Sequence, residues 1–368
     1  MLHSEKAGAL GLKLTCRQGL TQEINVKQAN SSELMRAILT GVAVGDALGF
    51  PAQFEPRSER EARPVVGMGD FRGEGGQIRS WGEELRGLWS DDTSLTLCLA
   101  ESLAKGFDLQ DQARRFLAWL DQGYMSARDR AFDVGIQTTR RLADLRKILR
   151  AGETDRLEDL ADDSDEYSNG NGSLMRILPL VVAISGKDPE EQFRLVRQAG
   201  NLTHPHIRSA LCCFLYLNMA EGISGGTDKF LAYEQARTDT AELMTRLACH
   251  TKEFQALNRL LEPGLASLAE AEIDSGGYVV ASLEASIWCL LTTDDFAAAV
   301  LKAVNLGDDA DTTGAITGGL AALHYGYEAI PTEWIASLKK PELFAAVISK
   351  FQIASGAAAL PASPATPS

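Results

Sequence analysis

Two clusters of hard-oxygen side chains stand near opposite ends of this chain. The first reads Trp89-Ser90-Asp91-Asp92-Thr93, and the second reads Gly307-Asp308-Asp309-Ala310-Asp311-Thr312-Thr313-Gly314. Each sets carboxylates beside a hydroxyl and runs straight into an apolar, helix-like segment. Carboxylates massed in apolar surroundings repel one another and resist burial unless a cation lies between them. Oxygen-only donors suit Mg²⁺ or Mn²⁺ and not zinc. The pair predicts a two-metal hydrolytic site assembled from both ends of the chain. A plainer reading competes with it. Ser90 could cap a helix with Asp91 and Asp92 at its positive end, and Asp308 to Thr312 could do the same for the next. The recurrence of one unusual acidic density favours metal.

The elements that must position these clusters read as helices. Glu33 to Leu48 is apolar nearly all round, which marks a helix buried in a core. Thr93–Leu103 is similar, and Asp111–Leu120 is amphipathic. Leu174–Ile184, Ala210–Ala220, Val279–Leu291, Phe296–Val304 and a Gly/Ala-rich Thr313–Tyr325 continue the series. Small residues in the last of these predict a close helix–helix approach. Alternating strand patterns are nearly absent. The reading is one all-α domain from about 33 to 350, preceded by a polar extension (1–32) and followed by an Ala/Pro/Ser-rich tail (351–368). Glycine-rich breaks fall at 67–76, at Asn169-Gly170-Asn171-Gly172-Ser173 and at Gly276-Gly277. A Gly/Asn loop entering a helix offers backbone N–H groups to an anion, although each break also suits a tight turn.

Composition narrows the classes. The chain has 368 residues, 45% apolar and 23% charged, with a net charge of −14. That acidity argues against sequence-independent nucleic-acid binding. The acidic run from Glu153 to Glu166 reads as a solvated loop. Six scattered cysteines without a Cys-x-x-Cys pair read as free thiols of a reducing compartment. No signal-peptide pattern and no window of ~18 apolar residues is apparent, so the expectation is a cytoplasmic protein without a membrane span.

With these pieces placed, the chain resembles the ADP-ribosylglycohydrolases, in particular their bacterial arginine-specific branch. The resemblance runs in order through Gly41-Val-Ala-Val-Gly45-Asp46-Ala-Leu-Gly49, Trp89 to Thr93, Phe132-Asp133-Val-Gly135, Gly170-Asn171-Gly172-Ser173-Leu-Met175-Arg176, Thr203-His204, Gly277-Tyr278-Val279 and Asn305 to Gly314. It implies an all-α fold with a binuclear metal cleft. It implies that Ser90, Asp91, Asp92, Asp309, Asp311 and Thr312 hold two divalent cations, Mg²⁺ or Mn²⁺. Asp133 is implied as acid/base, with Asp92 and Asp309 beside it in catalysis. The segment Gly170, Asn171, Gly172, Ser173, Met175 and Arg176, with His204, lines the ADP-ribose site, and Tyr278 walls the adenosine. His204-Pro205-His206 lacks the further ligands that zinc would need. Asp46, lodged in an apolar helix, is expected to meet a buried partner and orient ligands or water.

Two departures stand out. Gln53 occupies a position where the family has Glu, and Ile136 replaces an Asn. Gln can hold a water or a ribose hydroxyl but cannot take a proton. The implied activity is hydrolysis of the N-glycosidic bond between ADP-ribose and a protein arginine. Serine, O-acetyl-ADP-ribose and modified nucleic acid are other substrates of the wider family. Two alternatives accompany it. The extension 1–32 could block an ADP-ribosyltransferase toxin as an immunity protein, helped by charge complementarity. The chain could also bind ADP-ribose without turnover.

Overall fold

The computed structural model describes residues 31–160, 165 and 168–353. The blocking-arm expectation for 1–32 and most of the tail therefore lie outside the described residues. The helices that matter here are α1 (31–49), α2 (Asp91–Leu103), α3 (Leu109–Gln122), α4 (Ile136–Ala151), α5 (Pro189–Asn201) and α6 (Ile207–Ser224). They continue as α7 (Lys229–Arg246), α8 (Val279–Leu291), α9 (Phe296–Val304), α10 (Ala310–Tyr325) and α11 (Pro341–Ile353).

Hydrophobicity on every face predicts a central position, and α1, α2, α8 and α10 take it. Every residue of α2 and α8 is buried, as is α1 from 37 to 49 and α10 from Ala310 to Ala322. The run Ser31–Ala52 is long and apolar enough to cross a membrane, with mean hydropathy 1.3. This corrects the expectation that no such window exists. Since 78% of that window is buried inside the fold, it serves as a core helix. Amphipathic helices form the outer shell. In α3, Leu109, Ala113, Phe116 and Trp119 face inward, while α5 packs on α6 and α9 on α10.

Glycine sets the closest contact. Gly41, Gly45 and Gly49 recur every four residues and form one ridge along α1. A Cβ on any of them would overlap a backbone carbonyl of α10, at Gly318, Gly314 and Ala310 respectively. The two backbones therefore touch, and Asp46 is carried to the N-terminal end of α10.

The strand-free reading needs one correction. Val65–Gly67, Asp70–Arg72 and Ile78–Ser80 form an antiparallel sheet in the order β1-β2-β3. Its strands are three residues long, too short for alternation to show. Asn305, just past α9, clamps β1 by accepting from the Val65 N–H and donating to its carbonyl. The expected helix Leu174–Ile184 is instead three short turns, Leu174–Arg176, Leu178–Leu180 and Val181–Ile184. Pro179 cannot donate a helical hydrogen bond and interrupts it. All five described cysteines are free thiols.

Candidate active site and metal centre

The two acidic clusters meet because both are helix N-termini. Ser90 caps α2: its hydroxyl accepts from the Asp92 N–H and donates to Asp92 Oδ2 at 2.8 Å. The capping reading is thus correct for Ser90, and it coexists with the cluster. At α10 the matching position behaves differently. Asp309 stands at the N-cap but makes no side-chain cap bond. Its Oδ2 instead accepts from Asn171 Nδ2 at 2.6 Å. Asp308 is exposed, in the left-handed region at φ 54°.

Asp46 enters from α1. Its two oxygens accept from the Ser90 and Thr93 N–H groups at 2.9 to 3.1 Å and from the Thr93 hydroxyl at 2.6 Å. Asp46, Asp92 and Asp311 are all buried, and each brings one oxygen to within 4.8 Å of the others. Asp92 Oδ1 and Asp311 Oδ2 are buried with no hydrogen-bond partner. An unpaired buried carboxylate oxygen is costly. Burial and mutual repulsion push Asp91, Asp92 and Asp311 well above the usual carboxylate range. Burial pushes Asp46 up to about 7 despite its hydrogen bonds. Burial also raises Asp309, against the bond from Asn171. Two helix N-termini aim here and offset only part of this negative charge. Orphaned hard oxygens on two central helices, beside the Asp46 carboxylate of a third, fit a divalent cation.

Asp133 borders the cluster in the left-handed conformation, at φ 57°. Burial raises it, while the bond from Gln53 pulls the other way. Gln53 Nε2 donates to Asp133 Oδ2 at 2.9 Å. Ile136, at the first turn of α4, is 74% exposed.

The glycine loop forms another border. Gly170 bridges to Tyr278, with Asn171 N–H donating to the Gly277 carbonyl and Val279 N–H to Asn169. Asn171 Nδ2 ties the loop to Ser282 as well as to Asp309. Among the described residues, neither the Gly172 nor the Ser173 N–H donates to another backbone group. His204 packs beneath the loop, where a Cβ on Gly172 would overlap its ring. Tyr278 stays 38% exposed, its hydroxyl accepting from Arg208 Nη1 at 3.1 Å.

Ser173, Met175 and Arg176 have buried side chains. Arg176, implied by the resemblance to touch substrate, turns its guanidinium to the core. It stacks 4.5 Å from the Phe116 ring centre and donates to the Ala199 carbonyl and to Thr203 Oγ1. Burial pushes it down to about 10. Thr203 Oγ1 in turn lies 3.0 Å from His204 Nδ1. Thr203 Oγ1 therefore links the Arg176 guanidinium to the His204 ring. Burial pushes His204 down to about 3, so it is neutral. His206 is a cap: its Nδ1 accepts from the Arg208 N–H.

Sequence reasoning missed Arg208 and Glu253. They form a buried ion pair at 2.8 Å, 45 residues apart, which fixes the group that holds Tyr278. No local pattern marks such a pair. Surface hollows of 430 to 510 Å³ lie around Phe107, Arg141 and Arg194, and they include none of the cluster carboxylates.

Comparison with known proteins agrees with this geometry. The model of the family described as ADP-ribosylglycohydrolase matches residues 27–360. The chain belongs to the ADP-ribosylglycohydrolase family. As a member, it is a hydrolase of ADP-ribosyl linkages. It is 30% identical over 320 residues to the ADP-ribosylarginine hydrolase Tri1 of Serratia proteamaculans, covering 86% of this chain and 78% of that one. It is 31% identical to the ADP-ribosyl-[dinitrogen reductase] glycohydrolase of Rhodospirillum rubrum, covering 81% of this chain and 87% of the relative. A solved structure titled as an ADP-ribosylglycohydrolase-related protein complex superposes with TM-score 0.64 at 29% identity, over 89% of this chain and 99% of that one.

Proposed function

We propose that this glycohydrolase releases ADP-ribose from arginine side chains of modified proteins by hydrolysing the bond between ribose C1′ and the guanidinium nitrogen. The observation that carries the reading is the set of orphaned oxygens on Asp92 and Asp311, buried beside Asp46. The arginine acceptor is supported by the named activity of the Serratia relative.

Asp46, Asp91, Asp92, Asp309 and Asp311, with the Ser90 and Thr312 hydroxyls, are the residues that would hold two divalent cations, Mg²⁺ or Mn²⁺. Bound cations supply Lewis-acid polarisation and an ordered water. The chain's own residues do the rest. Hydrolysis passes through oxocarbenium-like charge at C1′, which the massed carboxylates favour. Guanidine leaves poorly without a proton. Asp133, raised by burial, is suited to hold that proton at Oδ1 or Oδ2 and deliver it to the departing nitrogen. Gln53 keeps this carboxyl aimed at the cluster. The Gly172 and Ser173 N–H groups suit the diphosphate. The half-exposed Tyr278 ring suits the adenine, and neutral His204 packs beneath the loop. The free buried thiols fit a reducing compartment.

The test is release of free ADP-ribose from an arginine-ADP-ribosylated protein, with Mg²⁺ and with EDTA, beside Asp309→Ala. Release that needs the cation and disappears in the variant supports the reading. Binding of ADP-ribose without release would assign a binding role and turn attention to Gln53.

A further inference from the structure

Two borders meet the carboxylates, and they differ in charge. The glycine loop reaches Asp309 through Asn171. The stretch from Arg128 to Arg140 reaches the cluster through Asp133 and Gln53. That second stretch is unusual for this protein. Between 128 and 150 the chain has seven basic residues against three acidic ones, although the whole carries −14.

Arg128 is held ready. Its guanidinium lies 4.8 Å from the centre of the Phe132 ring and 6.0 Å from that of Phe50. Those rings meet edge to face at 5.7 Å. Arg128 has no carboxylate partner among the described residues, and neither do the exposed Arg130 and Arg140. Stacking fixes the planar group while leaving its donors free. The neighbouring Asp129 is already engaged by Lys340 at 2.9 Å. Ile136 and Arg140 stand one turn apart on the same face of α4. Ile136 is 74% exposed, and Phe54, next to Gln53, is 72% exposed in a left-handed conformation at φ 61°.

We propose that Arg128, Arg130 and Arg140, with Ile136 and Phe54, form the surface that recognises the acceptor protein, and that they select an acidic segment flanking the ADP-ribosylated residue. The inference rests on the function proposed above. With the diphosphate on the glycine loop, the linkage faces Asp133 and the acceptor backbone leaves across 128–140. Charge complementarity then names the occupant: unpaired arginines in an acidic protein match carboxylates.

The experiment uses the full chain with Mg²⁺, the double variant Arg128→Gln/Arg140→Glu, and Arg140→Glu alone, which lies on the surface and leaves the core intact. Substrates are free ADP-ribosyl-arginine and two ADP-ribosylated peptides with Glu or Lys flanks. Glu-flanked peptide turnover should fall about tenfold in kcat/KM and lose most of its salt dependence, while the small compound is unaffected. Equal losses on both substrates would mean that these arginines serve the ADP-ribose diphosphate, and would overturn the inference. A second readout needs no turnover. Fluorescence anisotropy with unmodified peptides should show preference for Glu flanks in the wild type and none in the double variant. Equal affinity for both flanks overturns the inference even if ADP-ribose release is seen. Retained preference without release supports it and overturns only the proposed reaction.

Discussion

Two groups of buried charge sit within one fold and obey opposite rules. In the Arg208–Glu253 pair, opposite charges 2.8 Å apart satisfy one another, and a spare donor holds the Tyr278 hydroxyl. In the Asp46–Asp92–Asp311 group, like charges converge and two oxygens find no partner. The first arrangement is what a fold needs to keep a charge inside. The second is what a fold tolerates only when something else completes it. The difference sets the supporting pair apart from the cluster that a cation would complete. Paired charge holds a wall in place, and unpaired charge of one sign waits for a cation.

Removing a member should therefore act in opposite directions. Asp311→Asn takes away one of the repelling charges. ADP-ribose release should fall by about 10³-fold or more, since the carboxylate cannot be replaced by an amide at a metal position. Thermal stability measured in EDTA should stay level or rise. A marked loss of stability in EDTA would mean that Asp311 is structural and that the contrast is false. Glu253→Ala strips the counter-charge from buried Arg208, and should cost about 3–5 kcal/mol in urea unfolding. A cost below about 1 kcal/mol would place the pair with weak surface bridges instead.

The pH dependence sharpens the same contrast. Asp46, Asp91, Asp92 and Asp311 have folded pKa values above their unfolded ones, Asp46 at about 7. A carboxyl raised by folding binds its proton better in the native state. Its effect on stability is thus most favourable at low pH and declines as pH rises through the raised value. A cation competes with those protons. Added Mg²⁺ or Mn²⁺ should raise the Tm by several degrees at pH 8 and by much less at pH 5.5. A rise that is equal at both pH values would argue for binding outside this cluster.

How much of this was legible follows from what each feature needs. The central helices declared themselves because burial on all faces leaves an all-apolar signature, and Val279–Leu291 and Phe296–Val304 match their expected spans. The outer helices α4, α5 and α7 were unread: α5 is as amphipathic as α3 and its signal was passed over, whereas the apolar face of α7 is weakly patterned. The sheet was unread because three-residue strands are too short to alternate. At the site, Asp92, Asp309 and Asp311 announced themselves by density. Asp46 showed only as a charge in an apolar helix, and its place in the triad depends on Gly45 meeting Gly314. Arg176 was read from its motif as a site residue. Its direction depends on Phe116 and Thr203, which the motif does not contain. Arg208 and Glu253 carry no local signal, since each is ordinary until the other is opposite it.

The smallest test lies where the two kinds of charge come nearest in purpose. Tyr278 borders the glycine loop, and Gly277 before it packs against Asp309, where a Cβ would stand 3.2 Å from Oδ2. Its hydroxyl bond to Arg208 is the only part that Tyr278→Phe removes. The ring, its partial exposure and its pairing with Gly170 remain. Stability should drop by about 1 kcal/mol or less, the usual net worth of one such bond. If the paired cluster only holds a wall in place, KM should rise a few-fold with kcat unchanged, because a loosened wall binds ground state and transition state equally less well. A fall in kcat that matches the fall in kcat/KM would instead put the hydroxyl to work in the transition state. The division between supporting charge and working charge would then fail at the residue where they adjoin. The double variant with Glu253→Ala should be less than additive, since Arg208 has already lost its anchor.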